Sequence, residues 1–116
     1  MRRERLYLDD IAEAAESVAG FIAGIDAEAF HDSDLLRSAV VHKLSVIGEA
    51  AARLSDDLTA RNPHVPWPQI VGFRNIIIHA YFGIDWEIVW EIAKVRCPVL
   101  LEQVRLILEA EPTEPE

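Results

Sequence analysis

A chain of 116 residues, 51% of them hydrophobic, has the size of one domain and ample material for a single core. This excludes a two-lobed enzyme with separate cofactor and substrate domains and argues against intrinsic disorder. The balance of 11 Lys and Arg against 20 Asp and Glu gives a formal charge of -9, which opposes non-specific attraction to nucleic acid or an anionic membrane, so any contact with phosphate has to be local.

Met1-Arg2-Arg3-Glu4-Arg5 leads into a charged, amphipathic stretch from Leu6 to Ala14 rather than an apolar secretory core. No apolar run approaches the roughly 18 residues of a membrane span. Cys97 is the single cysteine and cannot form an internal disulfide, which fits a reducing compartment. The expectation is a soluble, unexported, cytoplasmic protein. Leu6, Leu8, Ile11, Ala15, Val18, Ala19 and Ile22 recur at three- and four-residue steps, which predicts a first helix with one buried stripe, stopping at Gly24. A second helix is expected from the capping residues Asp32-Ser33-Asp34 through Leu35, Leu36, Val40, Leu44, Ile47, Ala51 and Leu54. Pro63, Pro66 and Pro68 make residues 56–68 the main connecting loop.

A third helix is predicted from Trp67 to Tyr81, with Pro68 in its first turn and Gly83 as its break. Asp85 caps a fourth, carried by Trp86, Val89, Trp90, Ala93, Val99, Leu100, Val104, Ile107 and Leu108, with a kink expected at Pro98. There is no internal repeat, period-2 strand pattern or Asn-Gly hairpin signal. Four helices with short connections predict an all-α antiparallel four-helix bundle over residues 1–108. Glu109, Glu111, Glu114 and Glu116 crowd around Pro112 and Pro115, so 109–116 is expected to be an acidic, disordered tail. Without those four acids the balance is 11 basic to 16 acidic residues, which leaves room for a basic patch.

Polar residues interrupt the apolar helices most densely in Gly72-Phe73-Arg74-Asn75-Ile76-Ile77-Ile78-His79-Ala80-Tyr81-Phe82. Asn75 and His79 are one turn apart and share a face, while Tyr81 returns close to the azimuth of Arg74. Arg74 and His79 are about 140° apart around the axis at 3.6 residues per turn. They converge only if the guanidinium reaches round the helix or a second subunit supplies one of them. An Arg near a His is the equipment for metal-free RNA cleavage. Imidazole moves the proton of the ribose 2′-hydroxyl or of the leaving oxygen, and guanidinium stabilises the phosphorane charge. The same pair also reads as a hydrogen-bonded polar contact fixing helix orientation, and periodicity leaves both readings open.

Arg74-Asn75-x-x-x-His79-x-Tyr81, preceded by Pro66-Trp67-x-x-Ile70 and followed by Phe82-x-Ile84-Asp85-x-x-x-Val89-Trp90, resembles the HEPN superfamily, specifically the HepT-like toxins. The likeness spans nearly the whole chain and includes Ile47-Gly48-Glu49-Ala50. It implies a HEPN-like homodimeric helical bundle with metal-independent endoribonuclease activity and the motif Arg and His in a cleft between protomers. It also implies the toxin half of a type VII toxin–antitoxin pair, neutralised by a minimal nucleotidyltransferase that transfers AMP from ATP to the tyrosine two residues after the histidine. Carried over, His79 moves protons, Arg74 stabilises phosphate or the transition state, Asn75 orients the site or satisfies a helix-interior hydrogen bond, and Tyr81 is the modification target. The chain itself is expected to need no cofactor, ATP belonging to its partner, and its substrate is RNA, with no DNA.

The other polar and aromatic candidates read as structural. His42 and Glu49 lie two turns apart on the second helix and are able to face the cleft, with a solvated or structural role favoured. His31 and His64 sit in loop-like surroundings, and no one-turn His or carboxylate pairing suggests a metal. Cys97 reads as a small core residue, and Trp67, Trp86 and Trp90 as core or dimer contacts rather than base-stacking platforms. Lys43, Lys94 and Arg96 are candidates for guiding RNA. Two further functions stay open: a non-catalytic helical subunit that binds a nucleotidyltransferase, and a dimerisation bundle without a ligand.

Overall fold

The computed structural model describes residues 2–110, all helix and turn with no strand among them. Helix α1 (Arg2–Ile22) buries Leu8, Ile11, Ala15, Val18 and Ile22, the alternating three- and four-residue stripe that its sequence predicts. It ends where Gly24 turns left-handed at φ 76°, a conformation that costs glycine nothing. A short α2 (Ala27–Asp32) follows, capped by the Asp26 carboxylate accepting from the Ala29 amide at 2.9 Å. Ser33 caps α3 (Asp34–Ala52) in the same way, so the predicted second helix starts within a residue or two of its expected position.

One buried contact marks the antiparallel pairing of α1 and α3. Glu4, at the start of α1 and 6% exposed, accepts from the backbone amide of Ser55 at 2.5 Å and from its hydroxyl at 2.9 Å, just past the end of α3. The Ser55 hydroxyl also accepts from the Leu58 amide and caps α4 (Asp56–Arg61), a helix inside the stretch expected to be loop. The prolines at 63, 66 and 68, which argue for a loop, begin only after α4 has ended. Leu58, Val65 and Trp67 then turn inward, and the indole N–H of Trp67 donates to the Asn62 carbonyl at 3.0 Å.

Helix α5 (Trp67–His79) packs on α3, and α1 packs on both α3 and α7 (Cys97–Ala110). The predicted third helix stops two residues early, and Tyr81–Gly83 form a single 3-10 turn. Asp85 caps α6 (Trp86–Glu91) as expected. Between α6 and α7, Ile92–Arg96 form a π-helical turn in which the Cys97 amide reaches back to the Ile92 carbonyl. Proline at 98 has no N–H to give the residue four before it, and its ring crowds that carbonyl. The wider turn just upstream absorbs the mismatch, so the run from α6 to α7 bulges where a kink was expected. Helix α7 runs to Ala110 and takes Glu109 into the helix; the rest of the expected tail, 111–116, lies outside the described residues.

The body measures 47 × 30 × 24 Å, so its thinnest dimension is about two helix diameters and every helix reaches the surface. Buried apolar side chains from all the long helices form one core, with Phe30 of α2 packed against Trp90 of α6 at 5.3 Å between ring centroids. Such side chains contribute about 1.5–3 kcal/mol each on burial, whereas exposed ion pairs such as Arg105–Glu16 contribute roughly 0–1 kcal/mol. Packing therefore dominates. Among the described residues no helix is long and apolar enough to cross a membrane.

Helices α3 and α5 come close together at Gly48 of α3. A Cβ there would lie 2.4 Å from the Arg74 Cβ and 3.2 Å from the Ile70 carbonyl oxygen. Gly48→Ala should lower the urea midpoint, because overpacking costs about 1–3 kcal/mol against the ~1 kcal/mol that Ala gains over Gly within a helix; a higher midpoint would refute the close contact. Ser55→Ala removes a cap and one of the two bonds to Glu4, and should cost about 1–2 kcal/mol in the same measurement with an unchanged denaturant slope.

Candidate functional site

Helix α5 has two unlike faces. Ile70, Arg74 and Ile77 lie one turn apart and meet the body of the protein, while Asn75, Ile76, Ile78 and His79 are exposed. Helical spacing puts Asn75 and His79 on a different side of α5 from Ile70, Arg74 and Ile77, and packing on α3 covers the latter side. Arg74 and His79 thus keep the angular separation expected from their spacing, and the structure does not bring them together within one chain.

Arg74 emerges over Gly48 and its side chain is 21% exposed. Its Nη1 donates to the Glu49 carboxylate at 2.6 Å, and Glu49 is also paired with Arg53 one turn along α3 at 3.3 Å. The hydrogen bond from Arg74, then its charge, and then Arg53 hold the Glu49 carboxyl below the usual carboxylate range. The pairing is therefore intact at neutral pH and is lost only as pH falls through that lowered value. Arg74 Nε is buried without a hydrogen-bond partner among the described residues. Glu49, expected to be solvated or structural, is thus brought directly to the motif arginine, whereas His42, two turns earlier on α3, is exposed. The one sequence signal for Arg53 is its one-turn spacing from Glu49.

His79 is the last residue of α5 and is exposed. Two residues on, the Tyr81 ring is exposed and meets Phe82 and Trp86 edge to face, at 5.8 and 6.2 Å between centroids. Phe82 is completely exposed. The Arg37 guanidinium of α3 lies over the Trp86 ring at 5.5 Å and donates to the His31 carbonyl, so the indole that Tyr81 meets edge to face also carries a cation. No local signal marks Arg37, since its contact with Trp86 joins distant parts of the chain.

The remaining candidates are placed as follows. Trp67 is buried, and Trp86 and Trp90 are partly buried against the core. His31 belongs to the last turn of α2 rather than to a loop, because Asp26 starts a helix there; His64 is in the loop before α5, where its carbonyl accepts from Gln103. Lys94 lies over Trp90, Arg96 pairs weakly with Glu91 at 3.9 Å, and Lys43 is partly buried on α3. Cys97 is a core residue, its thiol pushed up to about 12 by burial, which removes it as a nucleophile near neutral pH. Among the described residues no three His, Cys, Asp or Glu side chains cluster in a way that could hold a metal ion.

The family model described as "Ribonuclease HepT-like" matches residues 11–107. The chain is 39% identical over 106 residues to a protein of Methanocaldococcus jannaschii named "Putative RNase MJ1380", covering 91% of this chain and 97% of that one. It is 36% identical over 99 residues to the "Probable ribonuclease HepT" of Thermococcus cleftensis, covering 85% and 90%. No solved structure gives a significant match. The match runs from α1 to α7 and takes in both Arg74 and His79 on the two faces of α5: this chain belongs to the HepT-like ribonucleases.

Proposed function

We propose that this chain is the toxin of a type VII toxin–antitoxin pair: a metal-independent endoribonuclease, active as a homodimer and silenced when a partner nucleotidyltransferase adenylylates Tyr81. The observation that carries the reading is the division of α5. Arg74 is anchored toward α3 while His79 and Asn75 stand on the outer face beside the exposed apolar side chains of Ile76 and Ile78. One protomer presents half a site. A second copy laid against this face covers Ile76 and Ile78, and where it reaches round α5 to the partly exposed Arg74 the guanidinium of one subunit meets the imidazole of the other.

In such a groove His79 takes the proton from the ribose 2′-hydroxyl, the freed oxygen attacks phosphorus, and Arg74 stabilises the charge that develops on the non-bridging oxygens. The P–O5′ bond breaks, and the leaving oxygen receives a proton from an imidazolium, leaving a 2′,3′-cyclic phosphate and a 5′-hydroxyl. Asn75, one turn from His79, orients the site. The chain's own residues supply both the proton carrier and the cation, and that supports a mechanism without metal. It also accommodates a formal charge of -9, because the phosphate meets a local cation and not a basic surface.

Tyr81 is supported as the modified residue by its exposure and by its place two residues from His79. An adenylyl group there adds bulk and negative charge at the edge of the groove and repels an RNA backbone. The modifying enzyme needs a grip near the hydroxyl, and the fully exposed Phe82 ring, 5.8 Å from the tyrosine ring, offers one. That same patch favours the second reading, a non-catalytic subunit that docks a nucleotidyltransferase; under it the free protein leaves RNA intact.

Purified protein should cleave cellular RNA with chelator present. Arg74→Ala and His79→Ala should each abolish cleavage. Mixing the two inactive proteins after joint refolding should restore about one quarter of wild-type activity, because half the dimers are mixed and each carries one intact composite site; no recovery would place both groups in the same protomer. Incubation with the cognate nucleotidyltransferase and ATP should add one or more AMP masses to the wild type and none to Tyr81→Phe.

A further inference from the structure

The nuclease reading gives Arg74 its task but does not explain why its guanidinium points where it does. The side chain has one hydrogen-bond anchor among the described residues, the Glu49 carboxylate at 2.6 Å. Its Nε is buried without a partner, so the backbone end of the guanidinium contributes nothing to fixing its orientation. The Arg74 Cβ is pressed onto Gly48, which leaves the side chain to leave α5 across the neighbouring turn of α3, where Glu49 stands. The other carboxylate oxygen of Glu49 is held by Arg53, whose guanidinium is in turn faced by Tyr7 of α1. A shallow cavity of about 180 Å³, lined by Tyr7, Asp10, Val46, Glu49, Ala50 and Arg53, lies along this chain of contacts.

We propose that Glu49 is the positioning residue of this ribonuclease: its carboxylate, braced by Arg53, holds the Arg74 guanidinium in one orientation with the remaining Nη donors free for the scissile phosphate. The proposal rests on the assignment of Arg74 to phosphate given above.

Two features distinguish positioning from simple neutralisation. A guanidinium has five N–H donors, and Glu49 engages Nη1, so acceptance of phosphate does not require the pair to break. Glu49 is also shared between two arginines, so the Arg53–Glu49–Arg74 group, counted without the Asp10 that lines the adjoining cavity, keeps a net positive charge of one. A carboxylate paired with Arg74 alone would cancel the charge that the reaction needs. Glu49 touches neither substrate nor a reacting atom in this scheme; it acts through Arg74. The preorganisation is worth having because a misplacement of about 1 Å at such a group can cost roughly a hundredfold in rate.

The test replaces the charge and keeps the shape, Glu49→Gln, in the full-length protein. At a half-exposed position this isosteric change leaves the fold intact, and an unchanged thermal midpoint checks it. Nitrogen-15 NMR of the arginine side chains, with the Arg74 signals identified by their loss in Arg74→Lys, should show hindered guanidinium rotation in the wild type and averaged signals in E49Q. With a fluorogenic oligoribonucleotide, kcat of E49Q should fall at least about tenfold while KM stays within about twofold, the pattern of an interaction needed only at the transition state. Unchanged Arg74 signals in E49Q, or a kcat equal to or above the wild type, would overturn the assignment of Glu49 and leave the nuclease reading standing. A wild type that cuts no RNA sinks the nuclease reading first, and the role of Glu49 with it, whatever the NMR signals show.

Discussion

The seating of α5 on Gly48 is the constraint from which the candidate site follows. α5 meets the rest of the body mainly through α3, and a glycine is the one residue that lets the two backbones come so close at the level of Arg74. Glycine inside a helix costs about 1 kcal/mol relative to alanine, a cost offset here by the approach it permits. With Arg74 pressed against α3, its guanidinium meets Glu49 and stays near the surface. The opposite face of the same helix is left to Asn75 and His79. A wider separation of α3 and α5 would leave Arg74 without that anchor and the helix without its division into an anchored and an exposed side.

The same arrangement reconciles an acidic protein with an anionic substrate. Long-range attraction is unfavourable at a formal charge of -9, so affinity for phosphate depends on a few cations held in place. Arg74 is held by a carboxylate that is itself shared with Arg53, and Arg37 stands on the Trp86 ring beside Tyr81. Both arginines owe their positions to α3. That helix supplies the Glu49 that meets Arg74 and itself carries Arg37, and its buried stripe through Val40, Leu44, Ile47 and Ala51 ties both contacts to the core.

Much of the fold is legible in the sequence because it arises from local chemistry. The α1 stripe, the Ser33 and Asp85 caps, the Gly24 stop and the buried Trp67 each follow from residue type and spacing. Helix α4 escaped notice because six residues show too little periodicity to compete with three nearby prolines. The π turn before Pro98 escaped because a missing N–H announces a disruption without saying whether the helix will bend or widen.

For the candidate site, the sequence by itself determined that Arg74 and His79 leave α5 on different sides, since five residues of helix fix an angle of about 140° wherever the helix is placed. It also determined the apolar frame that makes α5 a helix at all. Only the tertiary structure decided which of those sides faces inward, that Glu49 of another helix, itself paired with Arg53, meets the guanidinium, and that Tyr81 stands exposed against the Trp86 ring that also carries Arg37. Periodicity describes one helix about its own axis, whereas Arg74 and its carboxylate are 25 residues apart and meet only after α3 and α5 have packed.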